Sequence, residues 1–322
     1  MEQLEKQGME NLILDLRGNS GGFLNTAVEL SDEFLPEGKM IVYTEGLKSP
    51  RQEFKATGKG VFEKGKLIVM INEASASASE IVSGAVQDWD RGLVIGRRSF
   101  GKGLVQRPFN LPDGSVIRLT NARYYTPTGR SIQRPYDEGV EKYYKDLYER
   151  HERGEFVHAD SIHFPDSLKY VTPGKRVVYG GGGIMPDVFV AWDSTQFTDY
   201  YSNIIRKGVL NQFTLDYTGK SRNKMLKSYP DVAAFKKGFE VSQTDMDSFL
   251  EMAKTMGVEW DEDNFKRSET LLRYQIKALI ARNLWDLSAY YEVMTDTDET
   301  LQRALNILAK EDIFSYLKAP RQ

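Results

Sequence analysis

Three short segments of the chain combine side chains and glycines whose spacing could support chemistry. The first, Asn72-Glu73-Ala74-Ser75-Ala76-Ser77-Ala78-Ser79-Glu80, follows an apolar run and opens a helical pattern, with small residues that would let a substrate backbone come close. Ser77 has two readings there. It starts a Ser-x-x-Glu capping box with Glu80, or it is a nucleophile at a helix start, where the dipole and the N–H of Ala78 stabilise developing negative charge. The second segment, Gly96-Arg97-Arg98-Ser99-Phe100-Gly101-Lys102-Gly103-Leu104-Val105-Gln106, nearly spells a phosphate-binding loop. Gly103 stands where the Mg²⁺-binding hydroxyl must be, however, and a β-like run follows instead of a helix. Lys102, between glycines and bulky apolar residues, is either a solvated loop lysine or a candidate for partial burial. Burial disfavours the charged form, and a neutral lysine can take a proton from serine. The third segment is Asp15-Leu16-Arg17-Gly18-Asn19-Ser20-Gly21-Gly22. It is either a plain strand-to-helix turn or one whose uncovered N–H groups hold an anion, including the oxyanion of a tetrahedral intermediate.

The elements that must position these segments are legible as alternating patterns. From Asn11 to about Thr126, short apolar runs alternate with helical ones, the signature of a mixed α/β layer structure. Strands are expected at Leu12–Leu16, Met40–Thr44, Leu67–Ile71, Leu93–Ile95, Leu104–Arg107, Ser115–Thr120 and Ala122–Tyr125, and helices at Leu24–Leu35 and Ser77–Trp89. Tyr136–Pro165 is dense in charge and aromatic residues, has no clean period, and reads as an insertion with one short helix. Gly180–Gly183 then leads through Ile184, Met185, Pro186 and Asp187 into a short strand at Val188–Val190. From about Thr195 helical patterns take over, with a long helix at Phe265–Leu287 whose Leu272, Ile276, Leu279 and Leu287 share a face. The acidic triplet Asp261-Glu262-Asp263 reads as charge at that helix's start, in preference to a calcium site. The expected division is an α/β core over 1–135, an insertion over 136–179, a return to the core over 180–194 and a helical region over 195–322.

Composition narrows the chemistry. A chain of 322 residues, 40% hydrophobic and 28% charged, buries a sizeable core. Its net charge of -3, with both signs interspersed, offers no basic footprint for nucleic acid. The absence of cysteine removes disulfides, thiolate catalysis and Cys-ligated zinc. His151, His158 and His163 lie in the charged insertion without the i, i+4 spacing of a helical metal site. That is also a poor place for the base of a Ser-His-Asp triad, and no G-x-S-x-G elbow is present. No apolar run approaches the roughly 20 residues of a membrane span, and Met1–Glu10 reads as the tail of an amphipathic helix, not as a signal peptide. The first strand begins so early that a piece of a longer chain is expected.

Taken together the segments resemble one family, the carboxyl-terminal processing (tail-specific) serine peptidases. Leu-Asp-Leu-Arg-Gly-Asn-x-Gly-Gly at Leu14–Gly22, Ser-Ala-Ser-Ala-Ser-Glu at Ser75–Glu80, Phe-Gly-Lys-Gly-x-Val-Gln at Phe100–Gln106 and Gly-Gly-Ile-x-Pro-Asp at Gly182–Asp187 occur in that family's order. The resemblance covers roughly Asn11–Gln133 and Gly180–Val190. It implies Ser77 as nucleophile, Lys102 as general base, Gln106 as the residue orienting Lys102, and an oxyanion hole from the N–H of Ala78 and of Gly21 or Gly22. It implies polypeptide substrates, no cofactor or metal, a crotonase-like spiral of ββα units as the core, and a cell-envelope or periplasmic location. Oligomeric state stays open. Asp88 matches a position discussed as catalytic in the family. At about 1.5 Å per residue it lies about 16 Å along the helix from Ser77, so it reads as structural.

The departures are informative. Ser20 stands where proline is common, and the insertion and helical tail exceed the family minimum. The family's signal peptide and substrate-gating PDZ domain do not precede the first block here, which implies a longer natural protein and a weakly active or deregulated chain without them. Two competing readings remain: a catalytically retired binding or scaffold protein on the same fold, and a nucleotide-dependent enzyme resting on Gly101-Lys102.

Overall fold

The computed structural model describes residues 1–136, 139–310, 312–313 and 315. Residues 137–138 of the expected insertion, and 311, 314 and 316–322 of the expected helical region, lie outside the described residues. The chain forms two compact units, one of residues 1–191 with 303–322 and one of 192–302.

The first unit opens with a single exposed turn, α1 (Glu2–Lys6), and then alternates: β1 (Asn11–Asp15), α2 (Leu24–Asp32), β2 (Met40–Gly46), β3 (Ser49–Lys55), β4 (Lys66–Ile71), α3 (Ala78–Asp88), β5 (Leu93–Gly96), β6 (Leu104–Asn110) and β7 (Val116–Tyr125). After these come α4 (Val140–Glu152), the hairpin of β8 (Lys169–Val171) and β9 (Val177–Tyr179), and β10 (Val188–Phe189). It is an α/β structure with two main sheets. One is parallel, in the order β1-β4-β5-β10, with Leu12 opposite Leu67, Val69 opposite Val94 and Val188 opposite Ile95. Its central strands are buried along their length, which is why Leu67–Ile71 and Leu93–Ile95 read as unbroken apolar runs. The other is antiparallel, in the order β3-β2-β7-β6. Helix α3 lays Ile81, Val82, Ala85 and Val86 into the core with Phe34, Leu35, Val69 and Ile71.

Several expectations shift. The two strands expected at Ser115–Thr120 and Ala122–Tyr125 are one strand, which runs through half-buried Asn121 although the register with β6 steps past that residue. Ser49–Lys55, too polar to announce itself, pairs with β2. The insertion holds a 13-residue helix, α4, longer than expected.

The second unit is helical: α5 (Asp199–Arg206), α6 (Val209–Ser228), α7 (Val232–Gly238), α8 (Gln243–Thr255), α9 (Glu262–Leu284) and α10 (Leu287–Met294); α11 (Glu299–Leu308) follows. Thr198, Asp231, Ser242, Asp261 and Asp286 cap their helices, each side chain accepting from an amide three residues on. Asp261 in that role accounts for the acidic triplet. Leu272, Ile276 and Leu279 are buried as expected, whereas Leu287 is exposed, because the long helix ends at Leu284.

Candidate active site

The turn between β4 and α3 holds three serines, and their hydroxyls separate by use. Ser75 Oγ donates to the Leu16 carbonyl at 2.8 Å and Ser79 Oγ to the Asn19 carbonyl at 3.0 Å. Ser77 Oγ makes only a weak capping contact with the Glu80 amide, short of a hydrogen bond. Ser77 also has φ 54° and ψ -113°, a conformation that side-chain-bearing residues rarely adopt and that the surrounding structure must hold in place.

The first glycine segment supplies part of that hold. The Ala76 N–H donates to the Asn19 carbonyl at 3.0 Å, and Gly21 lies so close that an added Cβ would sit 2.7 Å from both Ala76 O and Ser77 Cβ. Gly21 is therefore glycine twice over, for this approach and for its φ of +104°. Its N–H, however, donates to Asn19 Oδ1 at 2.9 Å, which corrects its expected part in the oxyanion hole. Among the described residues the Gly22 and Ala78 N–H groups have no hydrogen-bond acceptor, and Gly22 is exposed.

Glu80 supplies the rest. Its carboxylate is fully buried and accepts four donors: Ser77 N–H at 2.8 Å and Lys102 N–H at 2.9 Å on Oε2, Gly101 N–H at 2.7 Å and Ser99 O–H at 2.5 Å on Oε1. Burial raises its pKa above the ordinary 4.5, and the hydrogen bonds from Ser99, Lys102, Gly101 and Ser77 pull it back only in part. Above this hub the Tyr124 hydroxyl donates to the Lys102 carbonyl and lies 3.1 Å from the Ser77 carbonyl. Burial, helped by the nearby Glu80 charge, lifts the Tyr124 pKa well above 10.0. The Gly182–Asp187 block closes the far side: Ser99 N–H donates to the Ile184 carbonyl at 3.0 Å and Ile184 N–H to Ser99 Oγ at 2.6 Å.

The backbones of Ser77 and Lys102 are thus brought together, but their side chains are not bonded. Lys102 is exposed, which corrects the expected partial burial. The apolar and glycine neighbours bury the backbone instead: Gly101 packs on Gly183 and Gly103 on Gln133, leaving the side chain to project outward. Gln106, also exposed, follows an irregularity in the β6–β7 register, and no hydrogen bond joins it to Lys102. Both side chains line one cleft of about 740 Å³ together with Leu104, Tyr136, Tyr143 and Tyr144. Asp88, by contrast, is buried at the other end of α3, paired with Arg130 at 2.7 Å and accepting from Thr128, a structural role. Among the described residues no cluster of histidine and carboxylate side chains could hold a metal ion, and no helix is long and apolar enough to cross a membrane.

The part of the chain that holds this turn is similar to known peptidases. Residues 1–145 match the model of peptidase family S41. The chain is 42% identical over 134 residues to a carboxyl-terminal-processing protease of Synechocystis sp., covering 42% of this chain and 31% of the relative. It is 47% identical over 126 residues to a carboxy-terminal-processing protease of Bartonella bacilliformis, covering 39% and 29%. The solved photosystem II D1 C-terminal processing protease is 39% identical over 41% of this chain and 34% of its own, with a TM-score of 0.38. The matches thus span about a third of the length of these relatives. Residues 200–286 match a separate family of unknown function, DUF8443.

The sequence motifs point to Ser77 and the glycine turn but not to the Glu80 hub. Glu80 was visible only as a cap; its place beside Ile81 and Val82, on the face that enters the core, was the available signal. Tyr124 carries no local signal, since only the pairing of β7 with β2 brings it under Ser77.

Proposed function

We propose that this chain is a serine endopeptidase that cleaves protein substrates near their C-termini by a Ser/Lys dyad. Ser77 Oγ attacks the scissile carbonyl carbon while its proton passes to Lys102 Nζ. The carbonyl π electrons move to oxygen, and the negative charge is held by the N–H groups of Ala78 and Gly22. Collapse expels the amine, which takes the proton from Lys102, and water then hydrolyses the acyl-serine by the same route. Gln106 orients Lys102 when substrate fills the cleft and excludes water from the amine.

The observation that carries this reading is the shared Glu80 oxygen, which accepts both the Ser77 and the Lys102 amides and so fixes nucleophile and base segments to one point. The crotonase-like spiral is part of the proposal, supported by the parallel sheet set beside an antiparallel one in a repeating strand and helix order. Polypeptide partners and a cell-envelope location rest on the likeness to processing proteases.

The unbonded Lys102 side chain favours one alternative, a retired peptidase that binds polypeptides without cutting them. Cleavage of an unfolded protein by the full chain separates the two. Ser77→Ala and Lys102→Ala should lose about a hundredfold to ten-thousandfold or more in rate, and Lys102→Arg should fail too, because a guanidinium does not give up its proton. Equal rates in all variants would remove the dyad.

A further inference from the structure

The segment read from sequence only as a charged insertion builds one wall of the cleft that holds Lys102 and Gln106. Helix α4 is pinned to the loop carrying Lys102 by two buried arginines. Arg134 lies between the rings of Phe100 and Tyr143, 4.0 Å from each centroid, and pairs with Asp146 at 2.6 Å. Arg150, 1% exposed, donates to the Ser99 carbonyl at 3.0 Å and the Arg98 carbonyl at 2.9 Å. A helix held this way presents its rings in fixed positions.

Those rings are Tyr136, Tyr143 and Tyr144, with centroids 5.0 Å apart for the first pair and 5.6 Å for the second. Tyr144 is 71% exposed and Tyr136 43% exposed, so among the described residues much of both rings stays open. Leu104 and Ala122 bring apolar surface from the strands, while Gln106 and Thr120 bring polar groups suited to a peptide backbone. An aromatic wall with a few polar groups at its margin is the make-up of a site that takes an apolar body and fixes its orientation.

We propose that this wall is a specificity subsite that receives an aromatic or large aliphatic side chain of an extended polypeptide, beside the bond to be cut. The occupant follows from continuity: the wall and the two residues assigned to proton transfer line a single cleft, so this inference rests on the peptidase reading for its ligand. The cleft's volume of about 740 Å³ exceeds one side chain and suits a short extended segment.

Two measurements on the full chain test it. In the first, cleavage sites in a mixture of unfolded proteins are mapped for wild type, Tyr136→Ser, Tyr144→Ser and Tyr144→Phe. Wild type and Tyr144→Phe should cut with bulky apolar residues enriched within two positions of the bond. The serine variants should lose that enrichment, with about a tenfold drop in kcat/KM for a peptide bearing Phe there and little change for one bearing Ala. In the second, a fluorescently labelled unfolded protein is titrated against Ser77→Ala, alone and combined with each tyrosine substitution, and the serine substitutions should raise Kd about tenfold. Unchanged enrichment and unchanged Kd would overturn the subsite while leaving the peptidase intact. Weakened binding without any cleavage by wild type would support the subsite and remove the peptidase.

Discussion

Ser77 and Lys102 are joined through their backbones: one oxygen of Glu80 accepts the amide of Ser77 at 2.8 Å and that of Lys102 at 2.9 Å. In the proposed mechanism the two side chains meet only over a bound substrate, so the geometric precision of the site would rest on a buried carboxylate that touches neither side chain.

That carboxylate makes stability depend on pH in a defined sense. An acid whose pKa is higher folded than unfolded favours the folded state most below its unfolded pKa. The advantage is lost as pH rises through the folded value. Relative to Glu80→Gln, wild type should therefore lose stability as pH climbs from about 4.5. Urea unfolding of both proteins at a series of pH values reads the difference, and a flat difference would refute it.

The positive φ of Ser77 predicts a trade between stability and chemistry. Glycine adopts that backbone without strain, so Ser77→Gly should be about 1–3 kcal/mol more stable than Ser77→Ala, while both lack the proposed nucleophile. Denaturant titration of the two inactive variants checks it.

The neighbouring glycines should part company. Gly21→Ala drives a Cβ to 2.7 Å from the Ser77 turn at a left-handed φ and should cost about 2–4 kcal/mol. Gly22→Ala meets nothing within 4 Å and should unfold with wild type. Thermal melts compare them directly.

Arg150 is buried, its pKa is pushed down to about 10 by burial and by Arg98, and it is still charged at neutral pH. Arg150→Met removes its two carbonyl bonds and leaves Glu155 short of a partner. The expected loss is about 3–5 kcal/mol, together with faster trypsin cutting within α4.

How far the sequence could be read follows from which interactions are local. The strands of the parallel sheet, α3, and the acidic start of the long helix at Asp261 depend on neighbours a few residues away, so apolar runs and local charge reveal them. The motif blocks placed Ser77, Gly21, Gly22 and Lys102 in one region. What escaped depends on distant partners. Arg150 finds its carbonyls 51 and 52 positions upstream, at Ser99 and Arg98. Lys102 looked buried because its flanks are, and only the packing of Gly101 on Gly183 turns the side chain out. Gly21 looked like an oxyanion donor until Asn19 Oδ1 took its N–H, a two-residue turn that asparagine forms readily.

The pairing of Val188 with Ile95, and of Ile184 with Ser99, has a consequence for biosynthesis. A ribosome adding about 5–20 residues per second needs roughly 4–16 s to pass from the lysine codon at 102 to position 184. Throughout that interval the nascent polypeptide carries both residues of the proposed dyad but lacks the Ile184 segment that braces Ser99 in the loop between them. On the proposed mechanism the hydroxyl and the amine are translated early and can become a working pair only late, when the last parallel strand joins the sheet.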